Sequence, residues 1–153
     1  MLATFTELTG QDPEILKDKD SINMLPALVG DPVEPLRREL VLAPRQSKNL
    51  AVRRGKWVYI GARGSGGFNG GRPKDHAWGG PRAVEFAGGT NSDIENGRIK
   101  KDAPNAQLYN LESDPNQTKN FHNEYPDVVK EMDALLQSYR PKKDDGKKRR
   151  GRK

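Results

Sequence analysis

Ala51-Val52-Arg53-Arg54-Gly55-Lys56-Trp57-Val58-Tyr59-Ile60 is the stretch on which the fold turns. Leu50 to Arg53 and Trp57 to Gly61 read as two strands, with Arg54-Gly55 supplying the turn between them. Side chains alternate across a strand, so Leu50 and Val52 share one face. In the second strand Trp57 and Tyr59 share one face, and Val58 and Ile60 the other. Such a hairpin is apolar on both sides and needs cover on both.

Working outward, Glu39 to Ala43 and Gln107 to Leu111 read as further strands. Between the hairpin and the last strand lies a long Gly-rich loop, 62–104, with one short strand expected at Ala83 to Phe86. Asp114-Pro115-Asn116 is a turn signal. The clearest helix runs over 126–139. Pro126 suits a first turn, Asp127 complements the positive end of the helix dipole, and Pro141 stops it. Val128, Val129, Met132, Leu135, Leu136 and Tyr139 form its apolar stripe. At the other end, Leu2, Phe5 and Leu8 recur at helical spacing before Gly10, and Met24 to Val29 is a short apolar run closed by Gly30. The expected class is α+β: a small antiparallel sheet of about four strands with the C-terminal amphipathic helix packed on one face. If one helix covers one face, the other face is expected to stay open.

Composition narrows the alternatives. Leu, Ile, Val and Phe together make up 30 of 153 residues, thin material for a core. The net charge of +6 belongs to the tail: residues 142–153 hold eight basic and two acidic side chains, leaving 19 of each sign elsewhere. The basic pI therefore describes an extension too polar to pack, not a basic domain surface. With no cysteine, disulfides and thiolate metal sites are excluded. The longest apolar run, Met24 to Val29, is far too short to span a bilayer. The first residues lack the basic-then-apolar pattern of an export signal, and the localisation of any parent protein stays open.

Taken in order, the segments resemble the sulfatases. Met1-Leu2-Ala3-Thr4-Phe5-Thr6-Glu7-Leu8-Thr9-Gly10 resembles the family helix Asp-Leu-x-Pro-Thr-x-x-x-Leu-Ala-Gly. Asp20-Ser21-Ile22-Asn23-Met24-Leu25-Pro26-Ala27-Leu28-Val29-Gly30 is similar to Asp-Gly-x-Ser-Leu-Leu-Pro-x-Leu-x-Gly. The hairpin resembles Ala-Val-Arg-x-Gly-x-Trp-Lys-Leu-Ile, and Gly64-Ser65-Gly66-Gly67-Phe68 a glycine-rich sequence that follows it in some bacterial members. Leu108-Tyr109-Asn110-Leu111-Glu112-Ser113-Asp114-Pro115-Asn116-Gln117-Thr118-Lys119-Asn120 resembles Leu-Tyr-Asp-Leu-x-x-Asp-Pro-x-Glu-x-x-Asn. Ser21, Asn110 and Gln117 depart from these patterns by replacing Gly, Asp and Glu.

The resemblance implies a C-terminal subdomain that leans on a large α/β domain. That domain holds a formylglycine nucleophile made from Cys or Ser in Cys/Ser-x-Pro-x-Arg, a calcium ion, and His and Lys around the sulfate. It implies residues 1–36 as a linking helix and loop from the large domain, 37–140 as the subdomain and 141–153 as a basic tail.

Within this chain the chemistry is missing. There is no cysteine, and Ser113-Asp114-Pro115-Asn116-Gln117 carries Gln where the nucleophile motif needs Arg, so the turn reading prevails. Asp144-Asp145 is a solvated pair in the tail rather than a metal site, which needs several convergent oxygens. Gly64 to Gly71 spells neither phosphate-binding glycine motif, and a turning loop is its plain reading. His122 precedes the last helix as a surface or packing residue. His76 and Trp78, in the long loop, are candidates for the substrate rim of a complete sulfatase.

The expected function is a C-terminal fragment of an arylsulfatase-like sulfuric ester hydrolase, inactive alone. No catalytic residue, metal or cofactor is expected in the chain itself; calcium and formylglycine belong to the complete enzyme. The expected partners are the missing catalytic domain and, through uncovered apolar surface, a second copy. One alternative is a stand-alone protein-interaction module. Another is nucleic-acid binding through Lys147, Lys148, Arg149, Arg150, Arg152 and Lys153, although the neutral body argues against a dedicated role. Weak nucleic-acid binding should collapse as salt rises through the physiological range, and deletion of 142–153 should abolish it without changing the fold. Filter binding against salt checks this; tight, salt-resistant binding to one sequence would favour the nucleic-acid reading.

Overall fold

The computed structural model describes residues 1–16, 21–44, 49–64 and 79–140. The chain divides into two compact units, Met1–Leu40 and Val41–Lys153.

In the first unit, α1 (Leu2–Leu8) and α2 (Leu25–Val29) are tied by side-chain hydroxyls. The Met24 amide donates to Thr4 Oγ1 at 3.0 Å, and the Ala3 amide to Ser21 Oγ at 2.9 Å. Thr4 and Thr6 are the buried residues of α1. Its apolar stripe faces outward instead: Leu2, Phe5 and Leu8 are 53%, 54% and 58% exposed. Leu28, Val29 and Val33 are exposed as well.

The second unit is built on the hairpin. Four strands, β1 (Glu39–Leu42), β2 (Ala51–Arg54), β3 (Trp57–Ile60) and β6 (Gln107–Asn110), form an antiparallel sheet in the order β1-β2-β3-β6. The turn between β2 and β3 is Gly55-Lys56 rather than Arg54-Gly55, because Arg54 already pairs with Trp57. Gly55 has a φ of 54°, a positive value that glycine alone adopts freely, and two-residue hairpin turns favour it there.

Register sets the core. Val52 lies opposite Tyr59, and Tyr59 opposite Leu108, so three strands present one row to the same face. Across that row lies α4 (Pro126–Ser138), which closes it with Met132 and Leu136. Leu50, Trp57, Val128, Val129 and Leu135 pack around this centre. The Tyr59 hydroxyl reaches α4 and donates to Asp133 Oδ1 at 3.0 Å. At one end the Trp57 ring lies 5.1 Å from that of Tyr125, centroid to centroid. Tyr139, expected in the apolar stripe, is 50% exposed. Thirteen helical residues extend about 20 Å, and four strand residues about 13 Å. Leu136 already sits over Gly61, just past β3, so the next turn overshoots the sheet.

Over β3 and β6 the opposite face is not open, contrary to the expectation from one covering helix, whereas on the edge strand β1 Leu40 and Leu42 are 38% and 48% exposed. Val58 and Tyr109 are only 6% and 1% exposed, although α4 lies on the other side. The segment that follows β3 supplies part of the cover. It contains α3 (Pro81–Phe86) and a two-stranded hairpin, β4 (Ile94–Glu95) with β5 (Arg98–Ile99). The short strand expected at Ala83 to Phe86 is therefore a helix. Gly80, with φ 84°, precedes Pro81 in the first turn, where a missing amide and a fixed φ suit a helix start.

A polar network seals this side. The Tyr109 hydroxyl donates to Gln107 Oε1 at 2.7 Å and accepts from Asn91 Nδ2 at 2.9 Å. Gln107 Nε2 in turn donates to the carbonyls of Ala62 and Gly64. Burial, reinforced by the charges of Asp93 and Asp114 and only partly offset by the Asn91 bond, pushes the Tyr109 hydroxyl up to about 12. Burial and its bond to Asp133 push Tyr59 up as well.

Two outcomes follow for stability. Leu136→Ala should cost about 2–5 kcal/mol through lost burial and a residual cavity, whereas Tyr139→Ala should cost under about 1 kcal/mol; urea unfolding of both separates them. For Tyr109, an unfolded tyrosine ionises near pH 10 and the folded one near 12, so its stabilisation is complete below pH 10 and is lost as pH rises to 12. That loss is about 1.4 kcal/mol per unit. Tyr109→Phe should be less stable at neutral pH by about 1–3 kcal/mol, since Gln107 and Asn91 lose a partner. Its stability should fall less steeply than wild type between pH 10 and 12, and parallel curves would contradict a buried neutral tyrosine.

Candidate functional site

The residues singled out for the substrate rim, His76 and Trp78, lie outside the described residues, as does the basic tail from Lys147 to Lys153. Two further sequence features, His122 and Asp114, take structural roles. His122 is half-buried ahead of α4, with Nδ1 3.0 Å from Asn123 Oδ1. Asp114, in the segment that half-matches a nucleophile motif, shapes a turn. It accepts from Thr118 Oγ1 at 3.0 Å and from the Lys119 amide at 2.9 Å. Burial alone would raise its carboxyl, but hydrogen bonds from Thr118, Lys119 and Gln117 outweigh that and hold it below the usual range.

Asn120 ends the same motif and is a hub. Its side-chain oxygen accepts from the Leu108 and His122 amides at 2.9 and 3.0 Å. Its amide nitrogen donates to Asp93 Oδ2 at 2.7 Å and to the Ala106 carbonyl at 3.1 Å. Its backbone amide donates to Ser92 Oγ at 2.9 Å. One side chain thus joins β6, the approach to α4 and the segment leading into β4.

That segment carries the candidate site. The β4–β5 turn is Asn96-Gly97, with φ values of 50° and 64°, the pair of positive angles that a tight two-residue hairpin requires. Gly97 is also needed for space: a Cβ there would lie 2.9 Å from Arg82 Cγ and 2.8 Å from Glu85 Oε2. The hairpin tip therefore rests directly on α3. Beside it opens a groove of about 820 Å³ lined by Arg82, Arg98, Lys100 and Lys101, with Glu95, Asn96 and Asp102. Its wall is braced by Arg63, whose guanidinium donates to the carbonyls of Lys100 and Lys101 at 2.8 and 2.9 Å.

The groove is rich in positive charge. Among the described residues Arg82, Arg98 and Lys101 form no ion pair, and Glu95 makes none although it lies opposite Arg98. Arg82 Nε is buried without a hydrogen-bond partner. Sequence reading passed over these residues. Asn-Gly between Ile94-Glu95 and Arg98-Ile99 was the available signal, since it marks a hairpin that projects its polar positions together.

The arrangement can hold and orient a charged group, but it offers no nucleophile paired with a base. The family's calcium ion does not fit here either. Among the described residues no three His, Cys, Asp or Glu converge, and Asp93, the one buried carboxylate, is engaged by Ser92 and Asn120.

No protein-family model matches the sequence. An N-acetylgalactosamine-6-O-sulfatase of Bacteroides thetaiotaomicron is 29% identical over 101 residues, a span covering 66% of this chain and 15% of that protein. A solved structure described as a 6S-sulfatase, from work on the metabolism of multiple glycosaminoglycans by Bacteroides thetaiotaomicron, superposes with a TM-score of 0.58 at 25% identity. That match covers 90% of this chain and 23% of the other. The chain thus spans less than a quarter of either protein's length. With a four-stranded antiparallel sheet, a C-terminal helix and motifs in matching order, the chain is a homologue of the sulfatases, corresponding to the C-terminal subdomain of those enzymes.

Proposed function

We propose that this chain serves a sulfuric ester hydrolase as a non-catalytic C-terminal subdomain, docked on a catalytic α/β domain. The observation that carries the reading is the extent of the matches: nearly all of this chain superposes on under a quarter of a sulfatase. The chain supplies no cysteine for a formylglycine, so the nucleophile and calcium ligands would come from the catalytic domain. By likeness to the named relative, the substrate class is a sulfated amino sugar. His76 and Trp78 remain candidates for the rim around it.

The docking surface is the outward stripe of α1. Leu2, Phe5 and Leu8 are each more than half exposed at helical spacing, an apolar surface that isolated domains rarely keep. In the absence of a catalytic domain the same stripe would drive self-association.

Alone, the chain should hydrolyse no aryl sulfate, even with calcium and a formylglycine-generating enzyme. Mixed with a sulfatase catalytic domain that lacks its own C-terminal subdomain, it should form a complex by sedimentation. Replacing Leu2, Phe5 and Leu8 together by Ser should weaken that complex by at least about 100-fold, since burying each such side chain contributes roughly 1.5–3 kcal/mol. Turnover that follows the chain through repeated purification would overturn the non-catalytic role. A monomer with a sharp unfolding transition above about 60 °C and no affinity for the catalytic domain would mark an independent interaction module.

A further inference from the structure

We infer that the groove between α3 and the β4–β5 hairpin binds a sugar bearing one oxyanion, a sulfate ester or a carboxylate. The charge requirement comes from the groove itself. Arg82, Arg98 and Lys101 carry positive charge with no ion pair among the described residues, and Arg82 Nε is a buried donor with no acceptor. Like charges lining one groove repel one another, and an oxyanion entering it is the group that would offset them. The groove is held in shape before any ligand arrives, by the contact of Gly97 with Arg82 and by Arg63 beneath Lys100 and Lys101.

The rest of the lining chooses a sugar over a nucleic acid. Glu95, Asn96 and Asp102 stand among the cations as hydrogen-bond acceptors. Sugar hydroxyls need such acceptors, whereas a phosphodiester chain would meet two carboxylates with a charge at every step. Among the described residues no aromatic side chain lines the groove to offer a base a stacking surface. The inference rests on the sulfatase reading for the choice of sugar alone.

The test is equilibrium binding to the full chain, with four probes. These are an N-acetylgalactosamine-6-sulfate disaccharide, an unsulfated disaccharide containing a uronate, a neutral disaccharide and a short oligothymidylate. Binding of the sulfated or the uronate probe is expected, and which of them binds tighter names the source of the oxyanion. Arg98→Ala with Lys101→Ala, both exposed positions, should weaken binding at least about tenfold. Deletion of 142–153 should leave it unchanged. In the unaltered chain the Arg82 Nε–H resonance should shift on titration with the binding probe, a readout independent of whether any variant folds. Equal binding of the neutral disaccharide, tighter binding of oligothymidylate, loss of binding with the tail, or an unmoved Arg82 resonance would each overturn the proposal. Because no catalytic domain is present, failure here leaves the docking experiment standing, and failure of docking leaves this result standing.

Discussion

The structure depends on one row of contacts: Val52, Tyr59 and Leu108 side by side across three strands, closed by Met132 and Leu136 of the last helix. These five residues are nearly inaccessible to solvent and come from three widely separated stretches of chain. Burial of apolar area is the dominant favourable term in folding, and in a chain with so few large aliphatic residues this row supplies much of it. Its register also fixes the back of the sheet. Once Tyr59 faces the helix, Val58 must face away, opposite Tyr109, and the loop beyond β3 must come back to cover them. The polar seal of Gln107, Tyr109 and Asn91 is thus a consequence of the front-face packing rather than a separate core.

The sheet and its helix were legible because their signals are local and periodic. Trp57 to Ile60 alternates, the helix stripe repeats every three or four residues, and Pro126 and Pro141 bracket it. Tyr139 was misjudged because periodicity reports which face a residue occupies, not whether the opposing sheet extends that far. The back face was misjudged for a related reason. Its cover comes from a segment whose glycines and polar residues carry no periodicity, and whose order arises from hydrogen bonds between distant residues such as Asn91 and Tyr109. Pro81 signals either a helix start or an irregular turn, and only the left-handed Gly80 before it decides between them.

The family motif ending in Asn120 was legible as a string of residues, but not for what it does. The string marks a resemblance; the structure gives it a physical content, since one carboxamide uses both its oxygen and its nitrogen to bind four groups on different segments. No shorter pattern in the sequence announces that. The basic groove was hidden more completely. Arg82 and Arg98 are sixteen positions apart in a chain whose charges balance outside the tail, so neither composition nor spacing sets them apart. They meet because Gly97 lets a hairpin tip rest on a helix.

The central strand β3 pairs with β6, and residues 61–106 separate the two in the chain. In the denatured chain the entropy of closing that span grows only logarithmically with its length; doubling it would cost about 0.6 kcal/mol. The cross-strand row is therefore almost indifferent to how long the excursion is, provided its ends arrive in register. Changes in the excursion's length are tolerable so long as the segment carrying Asn91 and Asp93 still reaches Tyr109 and Asn120. Folding speed is where such changes should register, since β6 cannot join the early hairpin until the whole excursion has closed.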